Sequence, residues 1–469
     1  MEPDPLLLSR VQFAFVISFH AIFPVFTIGL AAWIAVLEAL NYRRPDPVRD
    51  KLSRFWTKIF ALVFGMGVVS GIVMAFQFGT NWSRFSYAAS NFMGPMLSYE
   101  VVTAFFLEAT FLGVLLFGRD KVPRGAHLLA ACMVAIGTLI SSFWILSANS
   151  WFHTPAGVEL VDGHFQVISW LAAIFNPSMP YRLAHMGLAS FITGGLVVSA
   201  VSAWYLVRDR NPRTSRMALR MTIPMLAVAT PLQLFLGDLH GLNTFEHQPI
   251  KVAAMEGHWE TRQGAPLILF AIPDSGAEIN HLEIGIPYLG SLILTHSLDG
   301  EVRGLKTVPP KDRPPVGITF WSFRVMVALG LLFIALSWAA LAQMLRGRLY
   351  RSGRLLKALS LSYPLPFIAV LAGWFVTEVG RQPWIVQGMM RVGEAVTPSL
   401  SGWMALTTLI GYIAVYAVVF GAGVYYLRRV IRQGPDPIES AVDDESARPK
   451  RPFSALTTSF EDELPEGGR

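Results

Sequence analysis

Residues 356–384 read LKALSLSYPLPFIAVLAGWFVTEVGRQPW. The run is apolar over a length that crosses a bilayer, about 20 residues. It ends on Glu378 and Arg381, where Gly380 and Pro383 break the helix. Glu378 lies one turn from both Trp374 and Arg381, so a carboxylate, a guanidinium and an indole share one side of a helix end. Ionisable groups at the rim of a span are costly unless they are paired, bound to a metal or facing water. Taken alone, the stretch is equally served by an ion pair reaching for the headgroups, so the rest of the chain has to decide.

The 469 residues are 53% hydrophobic and 15% charged, with a mean hydropathy of +0.46. That charge content is far below a soluble domain's, and apolar runs of bilayer length recur. The sequence predicts an all-α polytopic membrane protein of about nine spans. Their expected positions are 11–40, 54–78, 93–117, 126–149, 181–207, 216–238, 317–345, 356–379 and 402–428. The formal net charge of +6 does not signal a nucleic-acid partner, because Lys and Arg gather in alternate loops. NYRRPDPVRDKLSR, GRDKVPRG, VRDRNPRTSR, LRGRLYRSGRLLK and LRRVIR would all face the cytoplasm, leaving the N-terminus outside and the C-terminus inside. MEPDP lacks the basic start of a cleaved signal, so the first span is expected to remain. Cys132 stands alone in an apolar run and reads as a core residue.

Four segments follow: 1–238 with spans one to six, an outer loop at 239–316, 317–432 with the last three spans, and a charged, disordered tail at 433–469. A second outer loop, 150–180, holds aromatics, prolines and two histidines, and is expected to cap the outer face.

Polar groups gather at one depth. His20 and His185 are the histidines expected well inside spans, with His127 at the inner mouth of the fourth. Alone, each is as readily a helix-to-helix hydrogen-bond partner as a ligand. Met326 opens the seventh span, where packing is the usual role of methionine. Arg324, two positions earlier, faces elsewhere, toward a haem propionate or another carboxylate. Glu100 and Glu108 lie a little over two turns apart on the third span, and each would cost about 3 kcal/mol at the centre of a lipid-facing helix. With Glu378 they point to a buried polar site. Imidazole, thioether and carboxylate are axial ligands of haem iron. No close-spaced Cys/His cluster suits zinc, and no C-x-x-C-H sequence would attach a haem covalently.

The chain resembles subunit I of the cytochrome bd family of quinol oxidases. The resemblance rests on SRVQFAFVISFH, MAFQFGTNWS, Glu100 followed by AFFLEATFLG, ILSANSWF, RLAHMG, QPIKVAAMEG, FWSFRVMVALG and GRQPW, in that order. It implies His185 and Met326 as ligands of a low-spin haem b, with Arg324 nearby. His20 and Glu378 would serve two high-spin haems, a haem b and either haem d or a further haem b, with the assignment between them left open. It places Glu100 and Glu108 beside that pair, Trp374 between haems, Arg381 at the high-spin site, and Lys251 and Glu256 in the quinol-binding loop. That loop passes almost directly to FWSFR, as in the short-loop, cyanide-insensitive branch.

The resemblance also implies quinol oxidation outside, O2 reduction to water, and protons drawn from the cytoplasm. Lys58 and Asp120 are candidates for the proton entrance, with an ordinary interface role as the simpler account. A second hydrophobic subunit, a small single-span subunit and the lipid bilayer are the expected partners. Two other readings stay open: an ion-coupled transporter, which would need broken helices mid-membrane, and a haem b electron-transfer subunit that never meets oxygen.

Overall fold

The computed structural model describes residues 2–435, so the tail lies outside the described residues from 436 onward. Among the described residues, eight helices are long and apolar enough to span a membrane. They include α1 (Pro5–Arg43), α2 (Pro47–Thr80), α3 (Ser90–Phe117), α4 (Arg124–His153), α5 (Met179–Val207) and α6 (Pro212–His247). After the long outer loop come α7 (Val316–Leu345), the pair α8 (Gly353–Leu361) and α9 (Leu365–Val379), and α10 (Gly402–Gln433). The eighth expected span, 356–379, is the pair, bent by 41°. Pro364 and Pro366 sit at the break, and each removes a backbone donor from the helix ladder.

Two helices run past their expected ends. α4 continues to His153 and α6 to His247. In both the next residue precedes a proline, Pro155 or Pro249, and that residue is pushed out of the helical region. His153 and His240 thereby become helical residues rather than loop residues. The outer loops also carry four two-stranded antiparallel sheets that an all-α reading leaves out. Among them are β1 (Val158–Val161) with β2 (His164–Val167), and β3 (Leu267–Asp274) with β4 (Ile279–Ile286). The first hairpin folds over the end of α4: Phe165 is fully buried against Trp151.

The main core fills the space between α1, α2, α4, α5 and α10, with Leu30, Ile34, Trp56 and Phe60 fully enclosed. α1 and α5 touch backbone to backbone. A Cβ on Gly194 would stand 2.8 Å from the Gly29 carbonyl carbon, and one on Gly29 would overlap the Ser190 carbonyl. Small residues permit such an approach where lipid supplies no hydrophobic drive.

At the inner end, a polar knot joins four elements. Glu38 of α1 accepts from Ser53 of α2 and from Arg119, which follows α3. His127 of α4 places Nδ1 3.1 Å from the same carboxylate and Nε2 3.1 Å from the Leu115 carbonyl. Arg119 also reaches Asp50 at 2.6 Å. Breaking a buried ion pair by removing one partner costs about 3–5 kcal/mol. Glu38→Ala should therefore lower the thermal midpoint of the purified protein clearly, and Asp120→Ala, at an exposed residue 3.4 Å from Arg54, should not.

Candidate functional site

At the outer end the chain buries an unusual concentration of charge. Glu378, on the last turn of α9, receives Arg381 Nη2 at 2.6 Å and Asn149 Nδ2 at 2.8 Å. His153 Nε2 stands 3.5 Å from the same carboxylate and 3.3 Å from Arg381 Nη1. Lys251 enters from the loop helix Pro249–Glu256. Its ammonium donates to the Thr377 carbonyl at 2.9 Å and lies 3.4 Å from His153 Nδ1. Arg182, on the first turn of α5, donates to Asn149 Oδ1 at 3.3 Å. Burial, with Arg182 and Arg381 close by, holds the Lys251 ammonium well below the ordinary lysine range despite Glu378.

Arg182, Lys251 and Arg381 are all buried. Three basic side chains share the one carboxylate bonded into this cluster, so basic groups outnumber it three to one. The Nε atoms of Arg182 and Arg381 are buried without a hydrogen-bond partner. Such a site calls for acceptor groups, carboxylates above all.

Three of the four candidate ligands, His20, His185 and Met326, each rest against a glycine of a neighbouring helix. A Cβ on Gly71 would sit 3.2 Å from His20 Cε1, one on Gly237 3.2 Å from His185 Cε1, and one on Gly373 2.9 Å from Met326 Sδ. His20 Nδ1 lies 2.9 Å from Ser70 Oγ. Because Ser70 spends its own proton on the Gly67 carbonyl, 2.8 Å away, it must accept from His20. That puts the proton on Nδ1 and leaves the Nε2 lone pair free, the form a metal-ligating histidine takes. His185 Nδ1 is buried with no partner, and its ring centroid is 5.5 Å from that of His240. Helices α5 and α7, which carry His185 and Met326, each pack on both α6 and α9.

Glu100 and Glu108 both face α4, for a reason the sequence hides. Eight residues overshoot two regular turns by about 80°. A wider π turn at Val101–Phe105 absorbs the excess. Glu100 then accepts from Ser141 at 2.7 Å, and Glu108 packs on Gly137. Arg324 meets a protein carboxylate: Nη2 reaches Glu256 at 2.9 Å, Nη1 the Met255 carbonyl at 2.5 Å, and Nε the Ile268 carbonyl at 3.0 Å. Lys251 and Glu256 are thus neither exposed nor paired with one another. They share one helix but serve two clusters.

Residues 8–435 match the family model of cytochrome bd terminal oxidase subunit I. The chain belongs to that family. It is 33% identical to the Escherichia coli cytochrome bd-II ubiquinol oxidase subunit 1, over 93% of this chain and 98% of that one. Against the Bacillus subtilis cytochrome bd ubiquinol oxidase subunit 1 the identity is also 33%, over 92% and 94%. The solved bd oxidase of Geobacillus thermodenitrificans superposes with a TM-score of 0.86 at 32% identity, covering 93% of this chain and all of the other.

Membership in a family of cytochromes implies haem, and the residues present fit it. Ligand-type side chains stand on glycine beds, and the buried Nε atoms of Arg182 and Arg381 need acceptors, as propionates would supply. Among the described residues no group of His, Cys, Asp or Glu is arranged to hold a bare metal ion.

Asn149, His153, Arg182 and His240 were not singled out from sequence. Asn149 stands in ILSANSWF, with His153 four residues on and so on the same helix face, and Arg182 opens RLAHMG. The signal for these three was present in the motifs. His240 was hidden by the placement of the end of α6. In a bd-type subunit built this way, Gly373→Ala should displace Met326 and Gly237→Ala should displace His185. Each is expected to diminish the low-spin haem spectrum of the purified oxidase, while Gly113→Ala, which meets nothing within 4 Å, should leave it unchanged.

Proposed function

We propose that this chain is the haem-bearing subunit of a quinol:oxygen oxidoreductase in a bacterial cytoplasmic membrane, with its N-terminus outside and its C-terminus inside. The observation that carries the reading is the convergence of His20, His185, Met326 and Glu378, from four helices, on the outer halves of those helices. His185 and Met326 hold a low-spin haem b in the space bounded by α5, α6, α7 and α9. His20 and Glu378 hold two high-spin haems, one a haem b and the other haem d or a further haem b. Both Glu378 oxygens are already hydrogen-bonded, yet each retains a lone pair for iron. Bound there, the haems supply electron transfer from quinol and the reduction of O2 to water.

The chain's own residues do the rest. Arg182, Lys251 and Arg381 bind propionates and, with His153 and Asn149, hold Glu378 in orientation. Trp374, one turn before Glu378, packs between haems. Glu256 accepts a proton from the quinol hydroxyl at the outer face, and Arg324, bonded to it at 2.9 Å, holds it in orientation. Glu108 and then Glu100, lined up along the α3–α4 seam, carry protons toward the oxygen site from the cytoplasmic side, with Lys58 and Asp120 at the proton entrance. Release outside and uptake inside generate a transmembrane potential without a pump. Subunit II and a small single-span subunit complete the assembly, and the short outer loop supports a kinship with the cyanide-insensitive branch.

An optical spectrum of the purified enzyme tests the whole reading. High-spin bands that shift with carbon monoxide are expected. Absence of haem bands would favour a transporter, and low-spin haem alone would favour an electron carrier. His185→Ala and Met326→Leu should each abolish the low-spin signal and leave oxygen-reactive haem. The two clusters give a sharper division. Glu256→Gln should lower quinol turnover about 100-fold or more, in line with loss of a general base, with haem spectra intact. Lys251→Leu should instead perturb the high-spin bands. Identical behaviour of the two variants would refute the separation.

A further inference from the structure

The β3–β4 hairpin turns a broad apolar face outward. Leu282 is 72% exposed, Ile284 62%, Leu269 50% and Ile286 43%. Patches of this kind on an otherwise packed loop mark an interaction surface. Its position says what that surface meets.

The base of the hairpin lies deepest. The Ile268 carbonyl is bonded by Arg324, two turns into α7, while Glu278 at the tip is bonded by Arg313, before α7 begins, at 2.6 Å. Polarity follows the same axis. Asp274, Glu278, Asn280 and His281 crowd the tip, and Leu269, Phe270, Ile284 and Ile286 line the base. Glu283, on the opposite side of β4 from Leu282 and Ile284, reaches back toward the tip and accepts from Asn280 at 2.7 Å. Phe270 meets Trp321 ring to ring, with centroids 5.2 Å apart. Trp321 heads an exposed stripe on α7 that continues through Val325, Ala328, Leu332, Ala335 and Ala339, at the three- and four-residue steps of one helix face. That stripe belongs to a bilayer-spanning helix, and the hairpin's apolar face extends it outward without a polar break.

We infer that the β3–β4 hairpin lies in the outer leaflet, its apolar base among lipid acyl chains and its polar tip at the headgroups. Trp321, Phe270 and Tyr288 sit where aromatic side chains favour a membrane–water boundary. Residues 267–286 contain no Lys or Arg, so the attraction is apolar and independent of anionic lipid. The inference stands whether or not the chain oxidises quinol.

The test uses the complete oxidase in lipid nanodiscs, with Cys132→Ala and a nitroxide label on Leu282→Cys, Ile284→Cys or, as a second site on the same face, Leu269→Cys. Lipid-soluble oxygen should relax these labels several-fold more than a water-soluble nickel chelate does. A label on Gly276→Cys at the tip should show the reverse, and replacing zwitterionic by anionic lipid should change neither. Preference for the nickel chelate at 282 and 284 would overturn the inference in favour of an aqueous face. Protection from both relaxants would overturn it in favour of cover by a companion subunit or a second copy.

Discussion

Buried charge that does not balance is the constraint on which the outer end of this molecule depends. Arg182, Lys251 and Arg381 converge on the single carboxylate of Glu378, in surroundings where each ion has lost its water. A desolvated cation costs several kcal/mol unless its partners are close and well aimed. Neutral acceptors answer part of the demand: Asn149 for Arg182, and the Thr377 carbonyl for Lys251. On the function proposed above, haem propionates would answer the rest, which makes prosthetic-group binding and the electrostatics of the fold one problem.

The neighbouring geometry is arranged for the same end by subtraction. Glycines 71, 237 and 373 leave shelves beside His20, His185 and Met326, and a methyl group at any of the three would crowd the side chain resting there. Helix α3 departs from regular winding for five residues, and two carboxylates eight positions apart come to face one seam. Arg324 draws α7, the loop helix and the base of the hairpin together through one planar cation.

The span count and the grouping of His20, His185, Met326 and Glu378 at one end were legible because apolar length and ligand chemistry are written residue by residue. The pairing of Glu378 with Arg381 was legible for the same reason, as a one-turn spacing on a helix end. What escaped depended on tertiary context. The divergence of Lys251 and Glu256 is one case, since five positions on a short helix place them on opposite clusters that only the packing of α7 and α9 defines. The extensions of α4 and α6 are another. Their ends are set by Pro155 and Pro249 rather than by where hydropathy fades, and His153 and His240 moved with them. The small sheets of the outer loops escaped because their strands are short and bulged, with weak alternation.

The knot around Glu38 has a mechanical consequence. It pins α1, α2, α4 and the end of α3 to one another at the inner rim through contacts that share a single carboxylate. The same helices are packed together along their length by the main core. The knot therefore acts on axial register: it sets the relative heights of His20 on α1, Gly71 on α2, and Glu100 and Glu108 on α3.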